Sequence, residues 1–364
     1  MPNICFLLGG FQGNGGIGRS TSIVVNALAK KEEYNITTVA YLQTDKPLLY
    51  EISPEVDMQH LYTHNISMIK AIIKGKAIQK LVKIIKSSDA DIIVACGALY
   101  YVLGLIAAKI CGKKCYCWEH TNPAITNDYK FQGVARKLAV RLADKIVVLT
   151  KSAENFYLNN LKVKKGKLIQ IYNPVSDEAV VSEEYNTDSK KIISVGRLSY
   201  PKNFGLLIDV AAEILPKYPD WSWDVYGRGE EYDSLLEKIE QKGLNGKVNL
   251  MGQVYDIYER YGNYAFQVMT SRYEGFPMSL IEGASNKLPL ISFDIETGPS
   301  EIIEDGINGF LVDAGNTEMM IDRIEKLIND LALREKMSAE SYELNKRFSL
   351  DVIMERWCNL VEKT

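Results

Sequence analysis

Long apolar runs are missing from this 364-residue chain. Nowhere do roughly eighteen apolar residues follow one another, which excludes a spanning helix. The start runs from Met1 straight into an apolar 4–8 segment without a basic leader or a small-residue cleavage site, so the expectation is a chain that stays in the cytoplasm. The six cysteines (Cys5, Cys96, Cys111, Cys115, Cys117 and Cys358) are too few and too scattered for a disulfide framework. Cys115 and Cys117 form the one tight pair, and strand alternation points both thiols to the same face. With three histidines in the whole chain, buried reduced thiols are expected there rather than zinc ligands. Low-complexity tracts are absent, as are P-loop, zinc-protease and Ser/His/Asp patterns.

What is present is ordinary globular material in excess of one core. The length exceeds what a single hydrophobic core usually sustains, so two domains are expected. The net charge of −3 hides an asymmetry. Residues 1–172 carry 23 Lys and Arg against 12 Asp and Glu, a balance of +11, and the remainder balances at −14. The basic half suits an anionic surface or a phosphate-bearing ligand.

Short apolar runs of strand length recur between helix-length segments at 4–8, 37–42, 91–96, 114–118, 145–149 and 168–171. After Asn173-Pro174 and a polar stretch the pattern restarts at 191–195 and continues at 222–226, 248–251, 266–270, 289–293 and 309–312. Such βα alternation predicts parallel sheets covered by helices on both faces. The expected organisation is a domain over 1–175, a second over 176–348 and a terminal helix from 349 to 364 that packs back on the first. Ligands in such folds sit at the C-terminal ends of strands, here facing a cleft between the sheets.

Several loops at those ends carry chemistry. Gly13-Asn14-Gly15-Gly16-Ile17-Gly18 has the spacing of a dinucleotide fingerprint, with Asp45 after the next strand as a ribose acid. The loop is long for that turn, and backbone N–H groups offered to a phosphate or sugar fit it as well. His120, in Glu119-His120-Thr121-Asn122-Pro123, follows the 114–118 strand at its ligand-facing edge. Gly196-Arg197-Leu198-Ser199-Tyr200-Pro201-Lys202-Asn203 joins a strand to a helix, and its two cations suit a diphosphate, one as a planar fork and one as a point charge. Gly227 and Gly229 flank Arg228 on the next such loop. Glu274-Gly275-Phe276-Pro277 leads into a helix that carries Glu282, with Pro277 suited to its first turn. Two carboxylates so placed invite an acid–base reading. They equally suit hydrogen bonds from two diols, with helix N–H groups facing a phosphate.

Two other features need separate accounts. Asp89-Ala90-Asp91 imitates a metal-binding D-x-D, but it precedes its strand and sits at the wrong end of a sheet. Between 66 and 86 lie Lys70, Lys74, Lys76, Lys80, Lys83 and Lys86 without an acid, interleaved with apolar residues at helical spacing. A basic amphipathic helix of this kind reads either as a membrane-surface element or as a covering helix with a solvated face.

Taken in order, the motifs resemble the family-4 retaining glycosyltransferases, similar to those that build bacterial capsule, exopolysaccharide and lipopolysaccharide. The resemblance rests on Glu274 and Glu282 spaced E-x7-E around Gly-Phe-Pro, on Arg197, Lys202 and Asn203, on Thr297-Gly298-Pro299-Ser300-Glu301, and on the Glu119-His120 segment. It implies an α/β chain of the GT-B fold, two Rossmann-like doubly wound parallel-sheet domains, the first for the acceptor and the second for a nucleotide sugar. It implies that Arg197 and Lys202 hold the donor diphosphate, within a loop that includes Gly196, Asn203, Gly227 and Gly229. Glu282 would take the ribose hydroxyls, and Glu274 with Gly275, Phe276 and Pro277 the sugar. His120 would contact the transferred sugar, and Gly15, Gly16 and Gly18 would line the acceptor side.

No metal or further cofactor is implied. The donor that the resemblance implies is a UDP-sugar, with a GDP-sugar as second choice, and the acceptor it implies is a glycan or lipid-linked glycan. Nucleic acid is not an expected partner. Anionic membrane at the inner face of the plasma membrane is, through Lys70, Lys74, Lys80 and Lys83. The competing readings are an NAD(P)-dependent oxidoreductase using Gly13, Gly15 and Gly18, and a sugar-nucleotide-binding module without turnover.

Overall fold

The structure is a computed structural model and describes residues 2–13, 15–179, 184–254 and 257–362. The chain divides into two compact units, Met1–Pro174 with Leu350–Thr364, and Val175–Ser349.

In the first unit the strands are β1 (Asn3–Leu8), β2 (Asn35–Leu42), β3 (Asp57–Tyr62), β4 (Ile92–Cys96), β5 (Lys114–Trp118), β6 (Lys145–Val148) and β7 (Leu168–Gln170). They form one parallel sheet in the order β3-β2-β1-β4-β5-β6-β7. Helices α1 (Gly16–Ala29), α2 (Met68–Ile73), α3 (Lys76–Ser87), α4 (Ala98–Cys111), α5 (Pro123–Thr126), α6 (Lys130–Leu142) and α7 (Lys151–Asn159) connect them. Every residue of β4 is buried, as the near-continuous apolar runs predict for strands covered on both faces. Strand β3 was not expected. Its first four residues, 57–60, are exposed, and an edge strand of that kind leaves no apolar run to read.

The second unit repeats the plan. Strands β8 (Lys191–Val195), β9 (Ser222–Tyr226), β10 (Val248–Gly252), β11 (Phe266–Met269), β12 (Leu290–Asp294) and β13 (Gly309–Asp313) lie parallel in the order β10-β9-β8-β11-β12-β13. Its helices are α8 (Phe204–Ile214), α9 (Tyr232–Gln241), α10 (Ile257–Tyr261), α11 (Met278–Ser285), α12 (Thr317–Asn329) and α13 (Leu331–Asn345). In both sheets the order reverses beside the first strand, between β1 and β4 and between β8 and β11. Ligands of doubly wound sheets bind at such reversals. Helix α14 (Leu350–Glu362) then returns to the first unit, where Trp357 packs against Trp118 with ring centroids 4.6 Å apart.

The lysine-rich 66–86 segment is two helices rather than one. Gly75, at φ 69°, takes the left-handed conformation that breaks α2 from α3. Lys80 is also not a free surface cation, because its Nζ donates to the Leu61 carbonyl at 2.6 Å and lies 4.2 Å from the centre of the Tyr62 ring. The six cysteines are unpaired, with Cys115 and Cys117 buried in one apolar cluster. Asp89 and Asp91 precede β4 and both bind Lys113, at 3.1 and 3.2 Å, which accounts for the pair as a surface ion cluster.

Candidate active site

Parallel strands deliver their following loops to one edge of the sheet. The loops after β9, β8 and β11 are therefore neighbours, since those strands are adjacent in that order. The β8 and β9 loops are joined backbone to backbone: Gly196 N–H donates to Tyr226 O, Leu198 N–H to Arg228 O and Glu231 N–H to Leu198 O. This contact needs glycine. A Cβ on Gly227 would lie 1.8 Å from Gly196 O, and one on Gly229 would lie 1.9 Å from Leu198 O. These two glycines thus pack loop on loop, which holds Arg197 at the exposed edge with its Nε donating to Ser199 Oγ at 3.4 Å.

Lys202 ends the turn that follows. Its methylenes lie over Gly196, whose Cβ, if built, would meet Lys202 Cε at 3.2 Å. Asn203 then takes φ 56° and ψ 38° before α8, a left-handed conformation that asparagine tolerates better than most residues. The β11 loop ties itself to this turn, with Thr270 Oγ1 donating to the Lys202 and Asn203 carbonyls and Arg272 N–H donating to Pro201 O. The result is that Lys202 Nζ and Glu274 Oε1 meet at 2.5 Å, with side-chain exposures of only 22% and 11%. Ser271 Oγ donates to the same carboxylate oxygen at 2.7 Å, and Thr297 Oγ1 donates to the Glu274 carbonyl. Gly298, at φ 104°, lets the 297–299 turn approach Pro277, where a Cβ would stand 2.5 Å from the proline Cδ. Arg197, Lys202 and Glu274 thus come from two neighbouring loops.

Glu282 does not share those partners. Helix α11 begins at Met278, one residue later than the proline placement predicts, with Pro277 as its N-cap residue. Glu282 is buried in it, and Tyr261 Oη donates to its Oε2 at 3.2 Å. Gly275 links Glu274 to Phe276, whose ring is buried edge-on against Phe348 at 5.4 Å.

In the first unit, Glu119 and His120 follow β5, and successive side chains there alternate between faces. Glu119 enters a buried polar cluster. Arg136 Nε donates to its Oε2 at 2.6 Å and Nη2 to its Oε1 at 3.2 Å, while Tyr157 Oη and Thr121 Oγ1 each donate at 2.8 Å. Arg136 Nη2 also donates to Thr121 and Thr126 hydroxyls. Burial alone would raise the Glu119 pKa, but the Arg136 charge and the hydrogen bonds from Arg136, Tyr157 and Thr121 bring it below the ordinary carboxylate value. His120 is also buried, at 8% exposure, and desolvation lowers its pKa to about 3. It is a neutral imidazole across the physiological range, able to exchange hydrogen bonds but not to act as a cation. Its Nε2 has no hydrogen-bond partner among the described residues.

The β1–α1 loop spans 9–15, and Asn14 of the glycine motif lies outside the described residues. Helix α1 opens at Gly16 with Gly15 as its N-cap residue. Gly13 and Gly15 border open space, whereas Gly18 faces the Tyr50 ring, with a built Cβ 3.2 Å from it. Among the described residues no three His, Cys, Asp or Glu gather as metal ligands.

Sequence reasoning missed Arg136, Tyr157 and Thr126 around Glu119, and Ser271 and Tyr261 around the second-unit carboxylates, while Thr121 and Thr297 stood in its motifs without a holding role. A signal existed for Arg136. It lies on α6 among Gly133, Ala135 and Ala139, small residues that are buried with it.

Comparison with known proteins places the chain in one enzyme class. The profile of the family described as Glycosyltransferase Family 4 matches residues 14–179, and that of Glycosyl transferases group 1 matches 175–344. An uncharacterized glycosyltransferase of Haemophilus influenzae is 28% identical, covering 98% of this chain and 99% of its own length. The amylovoran biosynthesis glycosyltransferase AmsD of Erwinia amylovora is also 28% identical, over 99% and 100%. Among solved structures, TarM aligns with a TM-score of 0.84 at 18% identity, covering 99% of each chain. HepE of Anabaena, solved with UDP and glucose, aligns at 0.83 and 16% identity over the whole of both chains. Between them the two glycosyltransferase profiles match residues 14–344, and the chain is a glycosyltransferase with the GT-B fold.

Proposed function

We propose that this chain is a retaining, metal-independent glycosyltransferase that moves a hexose or N-acetylhexosamine from a nucleotide sugar to a hydroxyl of a glycan or lipid-linked glycan in bacterial surface-polysaccharide synthesis. The observation that carries the reading is the partly buried Lys202–Glu274 pair, beside exposed Arg197, at the sheet edge where the strand order reverses. Arg197 and Lys202 hold the donor diphosphate, on the loop frame built by Gly196, Asn203, Gly227 and Gly229. Glu282 takes the ribose hydroxyls. Glu274 takes hydroxyls of the donor sugar, with the Gly275, Phe276 and Pro277 backbone beside it. His120 contacts the transferred sugar as a neutral hydrogen-bonding group, and Gly15, Gly16 and Gly18 line the acceptor side. The acid–base reading of Glu274 and Glu282 is set aside, since each carboxylate has its own donors in place.

In the proposed reaction the acceptor oxygen bonds to the anomeric carbon on the face from which the diphosphate departs. The carbon–oxygen bond to the diphosphate breaks, and the departing phosphate oxygen takes the acceptor proton. Arg197, Lys202 and the α11 N-terminus stabilise the charge that develops, and removal of one such donor costs about 2.7–4 kcal/mol by analogy with oxyanion-hole residues. A UDP-sugar is favoured because HepE and a TarM variant were both solved with UDP; a GDP-sugar is the second choice. The acceptor class follows AmsD, named for amylovoran biosynthesis. The membrane contact reduces to Lys70, Lys74 and Lys83, beside Ile73 at 79% exposure, at the inner face of the plasma membrane.

The test is a panel of nucleotide sugars screened by thermal shift, then by mass spectrometry for transfer and donor hydrolysis. Arg197→Ala and Glu274→Ala should each lose at least about 100-fold in kcat while remaining folded. Turnover like the wild type in either variant removes the site assignment, and donor binding without transfer or hydrolysis favours a binding module.

A further inference from the structure

The sequence places His120 at a strand edge, and the structure shows two separate devices fixing it. The backbone is fixed through its neighbour, because the Glu119 carboxylate accepts hydrogen bonds from Arg136, Tyr157 and Thr121. The ring is fixed differently. Trp118, two residues earlier, lies with its centroid 4.2 Å from that of His120 at an interplanar angle of 47°. Trp118 in turn meets Trp357 edge-on, at 4.6 Å and 67°, and Trp357 is backed by Phe6 at 6.3 Å. Both indoles are fully buried, and neither indole N–H has an acceptor among the described residues. No hydrogen bond to a described residue orients either indole, so packing sets the two planes, and Trp357 is one of the rings packed on Trp118.

We propose that Trp357, on the C-terminal helix α14, is a positioning residue for His120 and acts through the Trp118 ring. This rests on the reading that His120 contacts the transferred sugar. The helix does more than close the first unit: it supplies the ring between Phe6 and Trp118 in a stack that ends on His120. The coupling lies within the first unit and leaves the Arg197–Lys202–Glu274 loops of the second unit untouched.

The experiment uses the full chain with Trp357→Leu, which removes the ring, and Trp357→Phe, which keeps a smaller one. Histidine-ring NMR titration reads the imidazole directly. The resonance lost in His120→Gln is that of His120, whose burial lowers its pKa from the ordinary imidazole value. In Trp357→Leu water reaches the ring and the midpoint should climb by at least about one pH unit toward the ordinary imidazole value, with Trp357→Phe in between. Turnover should split: kcat falls about 100-fold in the Leu variant while the donor KM stays within about 2-fold, since orientation is lost and diphosphate binding is not. An unchanged His120 titration in folded Trp357→Leu overturns the proposal. If the Leu variant does not fold, an unchanged titration in Trp357→Phe overturns it. A moved titration with wild-type kcat in both Trp357→Leu and His120→Gln upholds the positioning and removes the sugar-contact reading of His120.

Discussion

Removing Arg136 tests whether the buried ion cluster beside His120 is held by its internal pairing. Arg136 is fully buried and Glu119 is 1% exposed, with the Nε–Oε2 distance at 2.6 Å. Solvent cannot take over for either charge. Deleting one partner of such a pair costs about 3–5 kcal/mol, because the other is left as an uncompensated buried ion. In Arg136→Met the cost is softened by the hydrogen bonds from Tyr157 and Thr121 that Glu119 keeps, so the expectation is about 3 kcal/mol rather than the upper figure.

The pH dependence carries a sign that packing loss would not. In the wild type the Glu119 pKa is lowered, so its contribution is present above the unfolded value of about 4.3 and is lost as pH falls through the folded one. Without Arg136, desolvation dominates and the folded pKa rises above the unfolded one. Its contribution is then present at low pH and lost as pH rises. The deficit of Arg136→Met against the wild type should be full near pH 7 and shrink toward about pH 4. Urea unfolding followed by tryptophan fluorescence measures it, with Trp118 and Trp357 reporting the first unit. Glu119→Leu with Arg136→Met should recover at least about 1 kcal/mol over Arg136→Met alone, since replacing both charges removes the stranded ion. A loss under about 1 kcal/mol in Arg136→Met, or a deficit independent of pH, refutes the reasoning.

Two further outcomes follow from the geometry. Gly227→Ala drives a Cβ to within 1.8 Å of Gly196 O and should cost about 1–3 kcal/mol in thermal unfolding, whereas Gly13→Ala, bordering open space, should stay within about 0.5 kcal/mol; equal melting temperatures would show that the two loops separate freely. Lys70→Met, Lys74→Met and Lys83→Met should each weaken sedimentation with phosphatidylglycerol vesicles by about 1 kcal/mol, while Lys80→Met should lower stability instead, because its Nζ serves the Leu61 carbonyl; binding equal to that on phosphatidylcholine vesicles excludes the membrane contact.

The apolar runs of 4–8, 91–96 and 114–118 determined β1, β4 and β5 because strands covered on both faces must be apolar at nearly every position. The loop motifs were legible too, since special residues are needed wherever the backbone turns sharply or approaches another loop. Asn203, Gly227 and Gly298 are such places. Strand β3 was not legible, because an edge strand with polar side chains has no periodic signature. Gly75 split a helix whose lysine spacing read as continuous.

What only tertiary structure decided was partnership. Sequence spacing suggested Glu274 and Glu282 as a pair, yet Glu274 is joined to Lys202, 72 positions away, and Glu282 to Tyr261. Likewise His120 rests on Trp118, which rests on Trp357 near the far end of the chain. Sheet order and helix packing choose such contacts, and neither is encoded in local periodicity. A strand pattern states which side chains must be buried, while the identity of the neighbour depends on which segments the whole fold brings to the same edge.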